Sequence, residues 1–214
     1  VKEVQAAVLD GRADLAVHSA KDLPALTPDE LVVAAVPERA DARDVLVGST
    51  LDGLGVGALV ATGSVRRRAQ LAWLRPDLNF VGLRGNIATR LAKADGVDAI
   101  VMAAAALERL GLDLGERTVE VLGPDVMLPQ VGQGALAIEC RSDDAIGRAL
   151  IGALEHRASR QAIDAERAFL AELGGDCDLP AGAHATVDGD QLALGDHFPD
   201  LEAREVEQVG DQAV

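Results

Sequence analysis

The pattern of hydrophobic and polar positions divides the chain into short apolar runs and segments with helical spacing. Residues 1–9 carry apolar side chains at helical spacing, and Asp10-Gly11 ends this predicted helix. The apolar runs 14–19 and 31–37 are predicted to be buried strands, the second of them buried on both faces. Similar runs, each leading into a loop or a helix, begin at residues 44, 57, 78 and 97. This alternation predicts an α/β fold with a largely parallel sheet.

The last third of the chain predicts one more strand, two helices and a hairpin. The strand covers residues 132–141, and Ser142 is the expected N-cap of the helix after it. A second helix is expected over 156–173, where a pair of glycines ends it. Two short strands are expected around Asp188-Gly189, and the polar tail is assigned no structure.

Composition and charge narrow the class of partner. The 214 residues are 49% hydrophobic, which is ample for packed cores. One Trp, three Phe and no Tyr argue against a platform that stacks nucleic-acid bases. A formal net charge of -15 opposes binding to phosphate backbones and to anionic membrane surfaces. We therefore expect a small-molecule ligand, with no nucleic-acid or membrane partner, and any bound anion must be held by a local basic pocket.

Cysteine usage and the ends of the chain suggest a cellular setting. Cys140 and Cys177 form no CxxC pair and belong to no His/Cys cluster, which argues against a disulfide framework and against a metal site. We therefore expect the protein to be located in the reducing cytoplasm. No apolar run approaches the roughly 18 residues of a membrane-spanning helix. The chain begins at Val1 inside a helical pattern, so we expect that the true N-terminus is missing.

The turn at residues 61–68 concentrates positive charge at the start of a helix. Ser64 is the expected N-cap, and Arg66, Arg67 and Arg68 occupy the first turn. Arginines there oppose the helix dipole, which favours an acidic side chain by about 0.3–1 kcal/mol. A bound anion would compensate, because exposed backbone N–H groups and arginine forks both bind carboxylates and phosphates.

A second turn repeats this design about twenty residues later. Arg84 follows a strand, Asn86 is the expected N-cap, and Thr89 and Arg90 lie in the first helical turn. A single arginine of this kind is more often a solvated surface charge. Two basic helix starts in an acidic chain nevertheless favour an anion site.

The stretch "HSAKDLP", residues 18–24, places polar groups at the end of a predicted strand. His18, Lys21 and Asp22 would then lie at the edge where open α/β sheets bind ligands. Lys21 could pair with a carboxylate, and Asp22 could stabilise a developing cation or move protons. A surface Lys-Asp pair of little energetic value is an equally good interpretation.

The stretch "GGDCDLP", residues 174–180, sets Cys177 between two acidic residues. From these residues alone the thiol is a turn filler, a metal ligand, a nucleophile or a covalent attachment point. Cys140 lies in an apolar strand and is expected to be a buried packing thiol. His156 and His184 have no partners at ligand spacing and are expected to be structural or exposed.

Six motifs in order resemble the porphobilinogen deaminase family: "HSAKDLP", "GSVRRRAQL", "LRGNIATRL", "DAIVMAAAALERLGL", "LPQVGQGALAIECR" and "AERAFLAELGGDCDLPAGAHA". The resemblance covers residues 1 to about 195. It implies an α/β fold with two lobes like those of periplasmic binding proteins and a small C-terminal α+β domain. The implied bounds are 1–38 with 130–153, 39–129, and 154–214.

The resemblance also implies an activity and its residues. Family members join four porphobilinogen units head to tail, release ammonia and free hydroxymethylbilane by hydrolysis. Asp22 matches the catalytic aspartate, and Cys177 matches the cysteine that holds a dipyrromethane cofactor through a thioether. Contacts to the cofactor and to substrate carboxylates are implied for Lys21, Ser64, Arg66, Arg67, Arg84, Thr89 and Arg90. Candidates of lower rank are Arg68, Asn86, Gly132 and Gln133.

Two departures and two alternatives accompany this expectation. Asp176 stands where the family usually has glycine, and the sequence after about residue 195 no longer resembles the family. A non-catalytic two-lobed protein that binds small anions would use the same basic turns but would need neither Cys177 nor Asp22. A cysteine-dependent transferase or hydrolase is a weaker alternative, because no histidine is evidently placed to activate Cys177. We expect a monomer.

Overall fold

A computed structural model of the chain describes residues 1–174 and 180–197. Its helices are α1 (Lys2–Leu9), α2 (Val65–Leu74), α3 (Ile87–Ala92), α4 (Ala104–Leu110), α5 (Ala145–Gly152) and α6 (Arg157–Glu172). Its strands are β1 (Leu15–Ser19), β2 (Leu31–Ala35), β3 (Asp44–Val47), β4 (Leu59–Ala61), β5 (Asn79–Val81), β6 (Ala99–Ala103), β7 (Val119–Leu122), β8 (Leu136–Arg141), β9 (Gly182–Asp188) and β10 (Gln191–His197). Short 3₁₀ turns cover Ala20–Asp22 and Lys93–Gly96.

The first lobe is built on a three-stranded sheet in the order β1-β8-β2. Both outer strands run antiparallel to β8, with Val17 opposite Ile138 and Val32 opposite Cys140. Helix α1 packs on this sheet through Val8, and helix α5 packs on it through Ile151. Cys140 is completely buried in β8, as its apolar strand predicted.

The outer strands of the first lobe are less buried than their sequences predicted. β1 alternates, and its Leu15 and Val17 are 43% and 55% exposed. β2 is fully buried only at Leu31 and Ala35. The apolar runs therefore predicted both strands correctly. The burial of their side chains depends in addition on which helices cover each face of the sheet.

The second lobe is a five-stranded mixed sheet in the order β5-β4-β6-β3-β7. β4 is parallel to β5 and β6, whereas β3 is antiparallel to β6 and β7. The prediction of a largely parallel sheet is therefore wrong, because β3 brings the chain in from the first lobe and runs against its neighbours. Strand β7 was not predicted. One core of this lobe gathers Leu46, Val60, Leu71, Val101 and Met127.

A third unit consists of helix α6 and the antiparallel hairpin β9-β10. The helix predicted over 156–173 is confirmed as α6, with His156 as its N-cap. The other helix prediction is shifted, because the N-cap of α5 is Asp144 and not Ser142. Asp144 Oδ1 accepts a hydrogen bond from Gly147 N at 2.8 Å, which fixes the helix start two residues later.

Two crossover segments, 36–43 and 123–135, join the lobes. Glu166 of α6 is completely buried against them and accepts hydrogen bonds from Arg39 Nη1 at 2.6 Å and Gly132 N at 2.8 Å. It also accepts a hydrogen bond from Ala185 N of β9 at 2.8 Å. One carboxylate thus ties the third unit to both crossover segments. The α/β class is confirmed, and the domain bounds given above are retained as our proposal.

Candidate functional site

A cavity of about 680 Å³ lies between the two lobes. The first lobe contributes the end of β1 and the 3₁₀ turn, and the second lobe contributes the starts of α2 and α3. The described residues that line it are Ser19, Lys21, Asp22, Thr62, Gly63, Ser64, Val65, Arg67, Arg68, Gly82, Leu83, Arg84, Ile87, Arg90, Ala106 and Gln130. Five of these side chains are cationic and one is acidic, in a chain whose net charge is -15. The cavity is therefore suited to a polyanion.

The turn Ala20–Asp22 is held in place from the second crossover segment. Gln130 Nε2 donates a hydrogen bond to the Lys21 carbonyl oxygen at 3.3 Å. Gly132 has a φ of 73°, and a Cβ atom there would lie 2.8 Å from Lys21 N. The sequence needs glycine at 132 both for the backbone conformation and for this close approach. Gly132 thus supports the cavity from behind and does not line it.

Lys21 and Asp22 meet different surroundings within one turn. Burial, followed by the positive charge of Arg67, lowers the pKa of Lys21 to about 8. The Asp22 carboxylate is exposed at the cavity and forms no hydrogen bond or ion pair with other described residues. His18 is not part of the wall, since it is buried with Nε2 3.3 Å from Glu139 Oε2.

Helix α2 begins as its sequence predicted. Ser64 Oγ accepts a hydrogen bond from Arg67 N at 3.4 Å, and Ser64, Arg67 and Arg68 all line the cavity. The Arg68 guanidinium lies 5.9 Å from the centre of the Phe80 ring, an arrangement that leaves its N–H groups available. Arg66 is different, because it is buried and does not line the cavity.

Asp44 is the counter-ion of Arg66 and Arg67. Its Oδ2 accepts a hydrogen bond from Arg66 Nη2 at 2.7 Å, and its Oδ1 accepts one from Arg67 Nη2 at 2.7 Å. Arg66 Nη1 also donates to the Leu128 carbonyl oxygen. Burial opposes ionisation of Asp44, but the charges of Arg67 and Arg66 together hold its pKa below the usual range.

Helix α3 and the turn before it also bring two arginines to the cavity. Asn86 Oδ1 accepts a hydrogen bond from Thr89 N at 2.8 Å, which confirms Asn86 as the N-cap. Arg84 and Arg90 line the cavity, whereas Asn86 and Thr89 do not. Arg90 Nε donates to the Gly85 carbonyl oxygen at 2.8 Å, so this turn is braced by its own arginine.

Gln133 lies near the C-terminal end of the second crossover segment and is completely buried. Its Nε2 donates to the Ala42 carbonyl oxygen and to Asp44 Oδ1, both at 2.8 Å. It therefore joins the two crossover segments behind the cavity wall. Gln133 reaches the site only through Asp44 and Arg67.

Cys177 lies outside the described residues. The described chain resumes at residue 180, and Ala183 N donates to the Pro129 carbonyl oxygen at 3.0 Å. Pro129 directly precedes Gln130 of the cavity wall. The described chain after Cys177 is thus anchored to the segment that borders the cavity.

Sequence reasoning missed several residues of the site. Ser19, Thr62, Ala106 and Gln130 line the cavity but were not among the predicted site residues. Each lies in a motif or turn described above, where the charged neighbours gave the stronger signal. Asp44 carried a signal, because an acidic residue at the head of an apolar run needs a partner when it is buried. The adjacent arginines Arg66 and Arg67, which are also buried, likewise need a partner of opposite charge.

Across residues 1–174 and 180–197, no group of three or more His, Cys, Asp and Glu side chains could hold a metal ion. Within the same residues no helix is long and apolar enough to cross a membrane.

Comparison with protein families decides what this arrangement belongs to. The model described as "Porphobilinogen deaminase, dipyromethane cofactor binding domain" matches residues 1–148. The model described as "Porphobilinogen deaminase, C-terminal domain" matches residues 160–212. The chain belongs to the porphobilinogen deaminase family. The resemblance predicted from six motifs is confirmed.

Curated relatives agree with the family models. Porphobilinogen deaminase of Roseiflexus sp. (strain RS-1) is 53% identical over 91% of this chain and 65% of its own length. That of Roseiflexus castenholzii is 50% identical over 96% of this chain and 69% of its own length. That of Exiguobacterium sp. is 46% identical over 98% and 70%. The chain thus spans about two thirds of the length of these porphobilinogen deaminases.

The residues present fit the dipyrromethane group for which the first family model is named. A cavity of about 680 Å³ is within the range of small-molecule sites, roughly 300–1,000 Å³. Arg68 and Arg84 have guanidinium groups that form no hydrogen bond with other described residues, so they can bind carboxylates. The acidic Asp22 faces the same space, where it can accept hydrogen bonds from pyrrole N–H groups.

Proposed function

We propose that the chain acts as a hydroxymethylbilane synthase, which condenses four porphobilinogen units with release of ammonia and frees the linear tetrapyrrole by hydrolysis. One observation carries the proposal: the Lys21–Asp22 turn of one lobe and the basic helix starts of the other line a single cavity. Porphobilinogen carries an acetate and a propionate, so each added unit brings two negative charges. A cationic wall is what such a ligand requires.

The residues of the wall divide into carboxylate binders and one acid. Arg68 and Arg84 bind substrate carboxylates directly, since described residues leave both guanidinium groups free for bidentate contacts. Lys21 adds a charge that depends on pH. Arg67 is already held by Asp44 and contributes a fixed positive charge at the cavity wall.

Asp22 is the proposed catalytic residue. Departure of ammonia leaves positive charge on the substrate pyrrole, and a carboxylate beside the pyrrole N–H stabilises that charge. The same carboxylate can hold the proton that the pyrrole loses afterwards. Its freedom from other described residues keeps it available for both tasks.

Cys177 is the proposed attachment point of dipyrromethane, through a thioether. When bound, that group supplies the pyrrole carbon to which new units are joined. The thiol of Cys140 is unsuited to this task, since it is completely buried and burial raises its pKa. Cys140 is therefore the matched control for Cys177.

Intact mass after incubation with porphobilinogen tests the attachment. We expect an increment equal to dipyrromethane in the wild type and in Cys140→Ser, and none in Cys177→Ser. An unmodified wild type, with porphobilinogen bound but unconverted, would support the alternative of a non-catalytic anion-binding protein.

Turnover of a second variant tests the catalytic role. Asp22→Asn should keep the mass increment and lose at least about a hundredfold in rate, a magnitude typical of a lost charge-stabilising group. Asp29→Asn, an exposed aspartate of the same lobe, is the control and should keep wild-type turnover. Normal turnover in Asp22→Asn would contradict the mechanism.

We also propose that the protein acts as a monomer in the cytoplasm without a nucleic-acid partner. The net charge of -15 supports the last point, because phosphate backbones would be repelled outside the cavity. Light scattering across a dilution series tests the monomer, and a mass of two chains would contradict it.

A further inference from the structure

Asp44 is the first residue of β3, and its side chain is completely buried behind the cavity wall. Oδ1 accepts hydrogen bonds from Arg67 Nε at 3.0 Å, Arg67 Nη2 at 2.7 Å and Gln133 Nε2 at 2.8 Å. Oδ2 accepts one from Arg66 Nη2 at 2.7 Å. A single carboxylate therefore faces two guanidinium groups and one amide.

These contacts fix the orientation of Arg67. Its Nε and Nη2 face Asp44, and its Nη1 donates to the Val101 carbonyl oxygen at 3.1 Å. Arg67 nevertheless lines the cavity. Arginine otherwise has considerable rotamer freedom, and a cation held in advance loses less of that freedom when an anion arrives.

Asp44 also limits the charge of the wall. Without it, Arg66 and Arg67 would be two adjacent buried cations beside Lys21. Its negative charge supports protonation of Lys21, which the charge of Arg67 opposes. The Asp44 carboxylate thus affects both lobes. It contacts Arg67 of α2 directly, and its charge favours the protonated form of Lys21 in the other lobe.

We propose that Asp44 is a positioning residue of this site, which holds the Arg67 guanidinium group at the cavity wall and sets the positive charge of the wall beside Lys21. The identity of the ligand rests on the proposed function. The arrangement of Asp44, Arg67 and Lys21 does not, so the two can fail separately.

The charge arm of the test needs no ligand. Lys21 is labelled with acetic anhydride over a pH series, and peptide mass spectrometry gives the midpoint of its reactivity. The wild type should titrate near pH 8. Asp44→Asn should shift the midpoint down by about half a unit or more, because it removes a charge that favours the ammonium form. An unchanged midpoint would overturn the assigned charge effect.

Asp77→Asn is the matched control. Asp77 also accepts two hydrogen bonds from an arginine, Arg75 Nε at 2.8 Å and Arg75 Nη2 at 2.7 Å, but beyond the C-terminal end of α2 and outside the cavity wall. It should leave the Lys21 midpoint where it is. A shift equal to that of Asp44→Asn would show a general effect of lost negative charge and would overturn the inference.

The position of Arg67 is tested by a double-mutant cycle with porphobilinogen as the titrated ligand and citrate as a second probe. Asp44→Asn and Arg67→Gln should each weaken binding about tenfold, the equivalent of one charge-assisted contact. The double variant should also lose about tenfold, since both changes remove the same contact. A loss of about a hundredfold would mean independent effects and would overturn the positioning role.

Asp44→Glu separates charge from position and serves if Asp44→Asn does not fold. It keeps the negative charge, so the Lys21 midpoint should stay near that of the wild type. The carboxylate is displaced by one methylene, so binding of the probes should weaken. Wild-type affinity in Asp44→Glu would overturn the inference. Failure of the wild type to bind porphobilinogen while it binds citrate in an Arg67-dependent way would count against the proposed function alone.

Discussion

Lys21 should make ligand binding depend on pH, because it is the one lysine among the described residues of a cavity wall whose other cations are arginines. The guanidinium group of an arginine stays charged in proteins. The pKa of Lys21 is lowered to about 8, first by burial and then by Arg67, with Asp22 and Asp44 opposing. The attraction of its ammonium group is therefore present below pH 8 and is lost as the pH rises through that value.

The size of the effect follows from linkage between proton and ligand. A carboxylate bound beside Lys21 raises the pKa of its amine again, and each restored unit corresponds to about tenfold in affinity. If one unit is restored, the affinity for porphobilinogen falls about fivefold between pH 7 and pH 9 and about tenfold at the limit. If the bound carboxylate restored the pKa of Lys21 to its ordinary value of 10.5, the affinity would fall more steeply with pH and over a wider pH range.

Calorimetric titration of the wild type and of Lys21→Arg measures this fall. The arginine keeps its charge, so the variant should show no decrease beyond the one that the amine of porphobilinogen itself causes. The difference between the two pH profiles isolates Lys21. Parallel profiles for wild type and variant would refute the assignment of a titrating ammonium at the cavity wall.

Three further predictions concern the support and the lining of the cavity. Glu166→Gln removes the charge of a buried pair with Arg39 and should cost about 3–5 kcal/mol of unfolding free energy, or roughly 6–20 °C in Tm by calorimetry, whereas the exposed Glu172→Gln should stay within about 0.5 kcal/mol. Gly132→Ala should displace the Lys21 turn, because its Cβ would lie 2.8 Å from Lys21 N, and porphobilinogen affinity should fall by at least about tenfold. Arg84→Gln should weaken binding about tenfold without lowering Tm, since its side chain is exposed; a lowered Tm would assign Arg84 a structural role.

The sequence was sufficient for the parts of the site that depend on neighbouring residues. The N-caps Ser64 and Asn86 were predicted because a capping side chain bonds to a backbone N–H only three residues away. The same holds for the end of α1 at Asp10. Local chemistry therefore placed both basic helix starts correctly before any tertiary contact was known.

The rest depended on contacts between distant residues. Nothing near Arg66 in the sequence shows that it pairs with Asp44 and leaves the cavity wall, while its neighbour Arg68 lines it. The direction of β3 was missed for a related reason. An apolar run gives no information on which way a strand runs, and only the crossover from the first lobe determines that.

The cavity holds five cationic side chains close together before a ligand binds. Their mutual repulsion is reduced in a different way at each residue. Arg67 shares a buried carboxylate with Arg66, Arg68 lies beside an aromatic ring, and Arg84 is exposed. The lowered pKa of Lys21 reduces the repulsion further, because its amine loses its proton more readily. A ligand whose negative charge grows in steps would neutralise these cations one after another. The exposed guanidinium groups without a described partner would be bound first. The arrangement thus suits a lengthening polyanion better than a single small anion, because one carboxylate could satisfy only a fraction of the wall.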